Sequence, residues 1–282
     1  MNVRRFLTAT DFLARVHPSL SKDEPANNFL LGNTLRLLKE PFRPAAVYMG
    51  TVETQSGLDL ALLAPPGHSV MLSIEPPGTP ESLRMAAEDL FLADGQPNGV
   101  NGTLASGEIF SAAWQQLSGT NYSLFFRLGL YVLTCVQPPH GVPGRLRIAV
   151  EADRALLAEW AAGFAADTNA GSEVEARNVI ENKLTTGDVV IWETPDGTPV
   201  SMAAQTRPLT RGIMVSFVYT PHEQRGHGYA SACTAALSQR LLDSGWGYVA
   251  LFTDLANPVS NAIYPRIGYQ KVGEQAEFQF GE

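Results

Sequence analysis

The sequence predicts a mixed α/β (α+β) protein with two tandem domains, each a sheet with flanking helices. Three observations predict this class. Beyond residue 144, the apolar periodicity alternates between strand and helix in the order β-α-α-β-β-β-α-β-α-β. The residues before 137 follow a looser version of that order. Between the two halves, Gln137–Gly144 holds three prolines and two glycines, which interrupt both kinds of pattern. We therefore predict domains at residues 1–138 and 139–282.

The composition excludes several classes of protein. The chain has 282 residues, of which 45% are hydrophobic and 17% charged, so two ordinary domains can each bury a core and a disordered chain is excluded. No stretch approaches the ~20 apolar residues that span a bilayer. Asp11 and Arg15 interrupt the N-terminal apolar run, unlike a signal peptide. We expect a cytoplasmic protein without a membrane partner.

The net charge limits the possible ligands, and the cysteines indicate the redox compartment. The net charge of −8 argues against nucleic acid as a partner, because phosphate binding needs a basic surface. It is compatible with a cationic or amine ligand. Cys135 and Cys233 lie in different halves, which suits buried thiols in a reducing compartment.

The elements after residue 144 follow from periodicity and turn residues. Leu156, Leu157, Trp160 and Phe164 recur at helical spacing, and Asp196-Gly197 predicts a hairpin. In chain order we predict a strand at 145–150, helices at 153–167 and 174–184, strands at 189–193, 199–207 and 212–220, a helix at 229–243, a strand at 248–253, a helix at 259–267, and strands at 269–272 and 276–280.

The segment Val215–Leu242 predicts a binding site for phosphate. It has the pattern of a strand, a turn with two glycines and an alanine-rich helix. Gly226 and Gly228 leave the backbone bare where the helix begins, and Arg225 adds a positive charge. The first amides of a helix have no partners within it and their dipoles point outward, so such a helix start attracts phosphate.

Alternative interpretations of this segment remain. The glycines could serve only a tight helix start. Gly226–Ser231 could also be a G-x-G-x-x-G dinucleotide fingerprint, although Ser231 replaces its third glycine and the preceding strand does not open a βαβ unit. His222 and His227 are five residues apart, which does not fit a zinc helix, and we predict no metal.

The same segment resembles the GNAT superfamily of acyl-CoA-dependent N-acyltransferases. Their pattern is Gln/Arg-x-x-Gly-x-Gly/Ala, and the sequence here runs from Glu223 to Gly228, with Glu at the first position. A second match covers 257–272, where a short helix carrying Tyr264 precedes Gly268-Tyr269. Asn27–Gly32 resembles a helical segment of two-domain bacterial acetyltransferases. The resemblance implies two tandem GNAT-like domains, each with a mixed central sheet.

Only the second half keeps the phosphate-binding features. In the first half we predict a strand at 3–7, one or two helices across 11–40, strands at 45–54, 58–64 and 69–74, helices at 80–92 and 106–117, and a strand pair across 124–136. Glu75–Pro80 stands where a glycine-rich helix start would be, and its prolines lack amides. We therefore predict a degenerate N-terminal domain that has lost cofactor binding.

The resemblance also implies the site and its chemistry. It implies acetyl-CoA as the acyl donor and Tyr264 as the general acid that protonates the departing thiolate; alternatively, Tyr264 only packs its ring and donates to a backbone carbonyl. Glu159, Glu181 and Asp254 are candidate general bases or plain surface residues. The implied cofactor-binding residues are Val218, Tyr219, Thr220, Arg225, Gly226, His227, Gly228, Tyr229, Ala230, Ser231, Asn257 and Asn261.

The predicted function is direct transfer of an acetyl group to a primary amine of a small molecule or peptide, by a monomer or homodimer. The strand Val215–Thr220 carries no carboxylate that could act as the base. A non-catalytic acyl-CoA-binding sensor or scaffold is therefore the alternative. A third possibility is an interaction module, in which the N-terminal half covers the acceptor cleft. Trp160 and Phe164 are expected in the core, although their helix borders the acceptor site in the family.

Overall fold

The computed structural model describes residues 1–39, 47–168 and 171–281. These residues form two compact units. The N-terminal unit comprises the described parts of Met1–Leu130, Thr253–Asn257 and Val272–Glu282. The C-terminal unit comprises the described parts of Tyr131–Phe252 and Pro258–Lys271. The predicted domains, 1–138 and 139–282, remain a prediction about independent folding, since the units divide the chain differently.

The N-terminal unit is a mixed sheet with helices. Thr8, Thr79 and Thr103 begin its first, third and fourth helices, where each hydroxyl accepts a hydrogen bond from the amide three residues later. The sheet order is β1-β2-β3-β4-β5-β12-β6, in which β4 and β5 are parallel. Its elements are β1 (Asn2–Arg5), α1 (Ala9–Leu20), α2 (Asn28–Lys39), β2 (Tyr48–Thr54), β3 (Gly57–Ala64), β4 (Val70–Leu72), α3 (Pro80–Leu92), β5 (Gly99–Gly102), α4 (Leu104–Ser118), the start of β6 (Tyr122–Leu133) and most of β12 (Gln270–Phe280).

The C-terminal unit has the strand order β11-β10-β9-β8-β7. Strands β10 and β11 are parallel, and the other neighbours are antiparallel. Apolar clusters cover both faces of this sheet, one beneath α7 and one beneath α5 and α6. Its elements are β7 (Arg145–Ile148), α5 (Arg154–Thr168), α6 (Glu173–Thr186), β8 (Val189–Glu193), β9 (Pro199–Thr206), β10 (Gly212–Tyr219), α7 (Tyr229–Asp243), β11 (Tyr248–Asp254) and α8 (Pro258–Arg266).

The predicted order of elements is confirmed from residue 145 to the end of α8, and three other predictions are corrected. The two strands predicted at 269–272 and 276–280 are one strand, β12. The strand pair predicted across 124–136 is the single strand β6. Strand β5 was not predicted, because its four residues include Gly99 and Gly102 and show no alternation. The predicted helix end and strand start within 40–46 lie outside the described residues.

Strand β12 belongs with the N-terminal unit because of its apolar face. Ala276 and Phe278 are buried in the N-terminal core, and β12 pairs with β5 from Ala276 opposite Gly102 to Gln279 opposite Gly99. Burial of a side chain such as Phe278 stabilises a fold by about 1.5–3 kcal/mol. A fragment that lacks residues 1–138 would expose this face, so the full chain is the form suited to binding and activity measurements.

The proline-rich segment Gln137–Gly144 forms no regular element and packs within the C-terminal unit. The amide of Gln137 donates to the carbonyl of Ile267 at 2.9 Å, and the Trp192 indole N–H donates to the carbonyl of Pro143 at 3.1 Å. A Cβ added to Gly228 would lie 3.0 Å from Val142. The segment therefore packs against the start of α7.

Two further findings concern the whole described chain. Cys233 is buried, whereas Cys135 is exposed, so the expectation of two buried thiols is wrong for Cys135, which lies just after β6. Among the described residues, no helix is both long enough and apolar enough to cross a membrane.

Candidate functional site

Strands β10 and β11 separate part-way along their length. Their parallel pairing runs from Gly212 opposite Tyr248 to Val215 opposite Leu251 and extends no further among the described residues. The pairing of β10 with β9 is irregular between Ser216 and Tyr219, where the backbone of Phe217 has a φ of +53°. A positive φ is uncommon for a residue other than glycine. Beyond Val215, the edge of β10 that faces away from β9 is therefore open to an extended ligand.

Aromatic packing holds this irregular strand end in place. The ring of Phe217 stacks on Phe164 of α5, with ring centroids 4.8 Å apart. Trp160 is buried in the same apolar cluster, which agrees with the expectation that these two aromatic residues of α5 belong to the core. Close to the end of α5, Gly163 lies so near the Tyr219 hydroxyl that a Cβ would overlap it. Desolvation, followed by the negative charge of Asp167, raises the pKa of Tyr219.

The start of α7 presents unpaired backbone amides. Gly226 and Gly228 have φ values of +83° and +81°, in the left-handed region that favours glycine. Gly228 is the N-cap and supplies no side-chain hydrogen bond, unlike the threonine caps of α1 and α4. The first helical bond runs from the amide of Ala232 to the carbonyl of Gly228 at 3.0 Å. The amides of residues 229–231 thus have no partner within the helix, and a Cβ at Gly226 would meet nothing within 4 Å.

Arg225 is held beside the glycines by two contacts. Its Nε donates to the carbonyl of Thr220 at 2.9 Å, and its guanidinium pairs with Asp167 near the end of α5. Asp167 also lies 3.4 Å from Nε2 of the largely exposed His222. Sequence reasoning missed Asp167, because only the tertiary fold brings α5 to this loop. Arg225 is thus directed to Asp167 here, while its positive charge stays next to the bare helix start.

The predicted pantetheine positions lie at the end of β10. The Ser201 hydroxyl of β9 donates to the carbonyl of Tyr219 at 3.0 Å, and the Thr220 hydroxyl donates to Ser201 at 2.9 Å. Val218 is partly buried against the apolar cluster beneath α7. These contacts fix the course of the strand end and leave its outer edge exposed to a ligand.

Tyr264 of α8 is buried in the C-terminal unit. It belongs to the same apolar cluster as Val215 and Leu251, the last paired residues of β10 and β11. Its ring lies 6.2 Å from that of Tyr131 and 5.9 Å from that of Tyr269. Burial raises the pKa of Tyr264 to about 12. The Tyr264 hydroxyl forms no hydrogen bond with any residue that the structure describes, so the alternative of a bond to a backbone carbonyl is not observed.

The two asparagines that were predicted near the cofactor fall in different units. The Asn261 side-chain oxygen accepts a hydrogen bond from the Tyr131 hydroxyl at 3.2 Å, within the C-terminal unit. Asn257 belongs to the N-terminal unit, where its amide donates to the carbonyl of Asp254 at 3.0 Å.

The structure does not assign a general base. Glu159 is exposed on α5, and Glu181 of α6 is exposed and pairs with Arg154. Asp254 belongs to the N-terminal unit and accepts a hydrogen bond from the amide of Ala256 at 2.9 Å. Within the described ranges, no group of three or more His, Cys, Asp or Glu side chains is arranged to hold a metal ion.

Comparisons with known proteins agree with this geometry. The FR47-like protein family matches residues 196–278, which include the glycine loop, α7 and α8. No curated protein matches the chain. A GNAT-family acetyltransferase from Colwellia psychrerythraea is 11% identical, with 100% of both chains covered and a TM-score of 0.58. A GCN5-related N-acetyltransferase from Sphaerobacter thermophilus is 15% identical, covers 99% of this chain and 95% of its own, and has a TM-score of 0.62.

A third solved structure has two such domains. The tandem GNAT protein from the clavulanic acid biosynthesis pathway is 14% identical, covers 100% of this chain and 98% of its own, and has a TM-score of 0.52. The chain has the GNAT fold. The resemblance to the GNAT superfamily and the predicted fold class are thereby confirmed. In this GNAT fold, the separating strands and the bare helix start adjoin each other through the loop at residues 220–228.

Proposed function

We propose that this GNAT-fold protein is an acetyl-CoA-dependent N-acetyltransferase that transfers the acetyl group directly to a primary amine. The observation that carries the proposal is the uncapped, two-glycine start of α7, placed directly after a strand with an open edge. Amides at a helix start bind a pyrophosphate, and a strand edge pairs with the amides of a pantetheine arm. The acceptor is a small molecule or peptide with an uncharged primary amine.

The chemistry assigns one residue a direct role. The amine nitrogen attacks the thioester carbonyl, the C–S bond breaks, and the CoA thiolate takes a proton from the hydroxyl of Tyr264. The proton that the nitrogen loses as the amide forms passes to water, and Tyr264 regains its proton from water. With the pKa of Tyr264 at about 12 and that of an ordinary thiol at about 8.5, this transfer is uphill by roughly 5 kcal/mol in water-like conditions. A thiolate in the same buried surroundings is also desolvated, which raises its own proton affinity and reduces the difference.

The N-terminal unit is proposed to bind no CoA. Its corresponding helix, α3, has Pro80 in its first turn, and the Thr79 hydroxyl caps the amide of Ser82. The loop before it is fixed by the buried Asn27, whose side chain accepts from the amide of Ile74 at 2.8 Å and donates to the carbonyl of Glu75 at 2.9 Å. Pro80 and the Thr79 cap leave fewer bare amides here than at the start of α7, which supports a degenerate GNAT domain.

Calorimetry and turnover test the proposal together. We expect the folded chain to bind one acetyl-CoA molecule and to release free CoA thiol when an amine acceptor from a panel of antibiotics, polyamines, amino acids and peptides is added. A stoichiometry of two would contradict the degenerate N-terminal domain. Failure to bind acetyl-CoA or any longer acyl thioester would refute the assignment as an acyltransferase.

Opposite changes of charge at the glycine loop are expected to shift acetyl-CoA affinity in opposite directions. Arg225→Met removes the cation beside the proposed pyrophosphate site and should weaken binding by about tenfold, the effect of losing one charge-assisted contact. Asp167→Asn releases Arg225 from its partner and should strengthen binding by up to about fivefold, since a half-exposed ion pair contributes little energy. Titrations at low and high salt measure both changes, with Asp196→Asn in the remote hairpin turn as control. A shift of the same sign in both variants would exclude a phosphate contact by Arg225.

A non-catalytic acyl-CoA sensor is the second candidate. Two observations favour it: β10 carries no carboxylate, and burial makes Tyr264 a weak acid. A sensor would show a rise in melting temperature with acetyl-CoA, as any ligand of the native state does, but would release no thiol with any amine. Thiol release with one acceptor would exclude it.

A further inference from the structure

The N-terminal unit contains a cavity that the proposed enzyme chemistry does not use. It has a volume of about 240 Å³ and lies between α2 and the sheet. Phe29 and Asn33 line it from α2, and Ser69 lines it from the turn before β4. Met71, Asn101 and Glu277 line it from the sheet.

The register of the sheet places these three side chains in one row. Met71 of β4 is opposite Asn101 of β5, which is opposite Glu277 of β12. Opposed residues point to the same face of a sheet, and their neighbours along the strand point to the other face. Val100 and Phe278 accordingly lie in the apolar core on the opposite face.

Glu277 is a mostly buried carboxylate without a cationic partner among the described residues. Its one hydrogen bond comes from the Ser69 hydroxyl, at 2.9 Å. Burial raises the pKa of Glu277, and the Ser69 bond lowers it by less. A buried carboxylate that carries its charge needs a compensating donor or cation. The cavity in front of Glu277 gives such a group a place to bind.

Two further side-chain amide oxygens near this face are acceptors, and the exposed Arg36 contributes a positive charge to the cavity lining. The Asn33 side-chain nitrogen donates to the carbonyl of Phe29 at 2.8 Å, which leaves its oxygen as the free atom of the amide. Gln275, two residues before Glu277 on the same face of β12, is 3% exposed, and its side-chain oxygen has no partner among the described residues. Its nitrogen donates to the carbonyl of Ala26 at 2.7 Å. This face therefore offers acceptors to a donor-rich ligand.

We propose that this cavity binds a small primary amine in its protonated form, with the ammonium group against Glu277 and the carbon chain against Phe29 and Met71. An ammonium group carries three donors and one positive charge, which matches the Glu277 carboxylate and the side-chain oxygen of Asn33 in the same cavity lining. The small volume and the apolar side chains favour a short aliphatic chain. The proposal concerns the N-terminal unit alone and does not depend on catalysis in the C-terminal unit.

The pH dependence follows from the groups around the cavity. Glu277 must be ionised to bind the cation, so affinity should rise as the pH increases through the raised pKa of Glu277 and then level off. Arg36 of α2 and His68 of the β3–β4 turn are exposed lining residues. The positive charge of Arg36 opposes an ammonium ligand at every pH used and so does not alter the pH dependence. The variant Glu277→Gln should lose the part of the pH dependence that comes from Glu277.

Calorimetric titration of the full chain with butylamine and 1,4-diaminobutane, without acetyl-CoA, tests the site. We expect Glu277→Gln to weaken binding by about tenfold or more, the effect of losing one charged contact. Glu274→Gln is the matched control, because Glu274 is exposed on the same strand and pairs with Arg127 outside the cavity. It should bind like the wild type.

Two further measurements test whether the charge of Glu277 is the cause of binding. Glu277→Gln should fold with an equal or higher melting temperature, because a neutral amide replaces a buried acid. The uncharged analogue 1-butanol should bind far more weakly than butylamine. Equal amine affinity in the wild type and Glu277→Gln would place amine binding elsewhere, for example at an acceptor site of the C-terminal unit, and overturn the proposal. An absence of amine binding by the wild type, or equally tight binding of 1-butanol, would also overturn it.

Discussion

Replacing Gly226 by alanine is expected to lower the affinity for acetyl-CoA by about 10- to 100-fold. At a φ of +83°, an L-residue is strained by roughly 1–2 kcal/mol. The added Cβ would also enter the open space next to the bare amides of α7, where the proposed pyrophosphate lies. Loss of one or two contacts to a charged group, at about 1.5–3 kcal/mol each, gives a reduction of this size. Calorimetric titration with acetyl-CoA measures it.

The hairpin turn between β8 and β9 supplies a matched control. Gly197 has a φ of +87°, and a Cβ there would also meet nothing within 4 Å. Gly197→Ala should therefore lose the same stability as Gly226→Ala, measured by urea unfolding, and keep the acetyl-CoA affinity of the wild type. If Gly226→Ala also keeps that affinity, the glycine loop is not the pyrophosphate site, and the proposed function loses its main support.

Local signals explain which elements could be predicted from the sequence. Helices α3 and α7 begin and end where the periodicity places them, since Pro80 and Gly228 mark their starts. Strand β8 is also at its predicted position, because it is a continuous apolar run that ends at a turn. By contrast, β5 is too short and glycine-rich to show a period, and the membership of β12 depends on a partner strand far away in the sequence.

The same distinction applies to the candidate site, of which only the part formed by one continuous segment could be predicted. The bare start of α7 was predictable because two glycines and the helix after them are contiguous in the chain. The ion pair of Arg225 with Asp167 joins residues that are 58 positions apart in the sequence, so no local sequence pattern predicts it. The row of Met71, Asn101 and Glu277 depends on the register of three strands, which the sequence does not specify. Chemistry that one segment carries can be inferred from sequence, whereas chemistry assembled across elements requires the fold.

The starts of α7 and α3 differ in the number of backbone amides that they leave for an anion. At α7 the N-cap is Gly228, which has no side chain to occupy the helical amides. At α3 the N-cap is Thr79, whose hydroxyl occupies one amide, and Pro80 removes another. Each of these choices stabilises α3 and makes it a poorer anion site. The same backbone amides can either donate to a cap from the protein, which stabilises the helix, or bind phosphate. A gain in one property is therefore a loss in the other.

Replacing Tyr264 by phenylalanine is expected to lower kcat by about 10²- to 10⁴-fold, the usual contribution of a general acid, and to leave the affinity for acetyl-CoA unchanged. Because the Tyr264 hydroxyl forms no hydrogen bond with the described residues, its removal should not destabilise the fold. With a pKa near 12, Tyr264 stays protonated up to about pH 10, so kcat should not fall on the alkaline side through loss of this proton. Rates of thiol release, binding titrations and melting temperatures measure the three effects.

The variant Tyr269→Phe distinguishes a loss of rate caused by the missing proton donor from one caused by disturbing the aromatic cluster around it. Tyr269 is buried beside Tyr264, and its hydroxyl is 2.7 Å from that of Ser238. Loss of this hydrogen bond should cost about 1 kcal/mol of stability and leave kcat unchanged. An equal loss of rate in both variants would mean that the cluster as a whole sets the rate. Full activity of Tyr264→Phe would remove Tyr264 from the mechanism, and a water molecule or the acceptor itself would then have to protonate the thiolate.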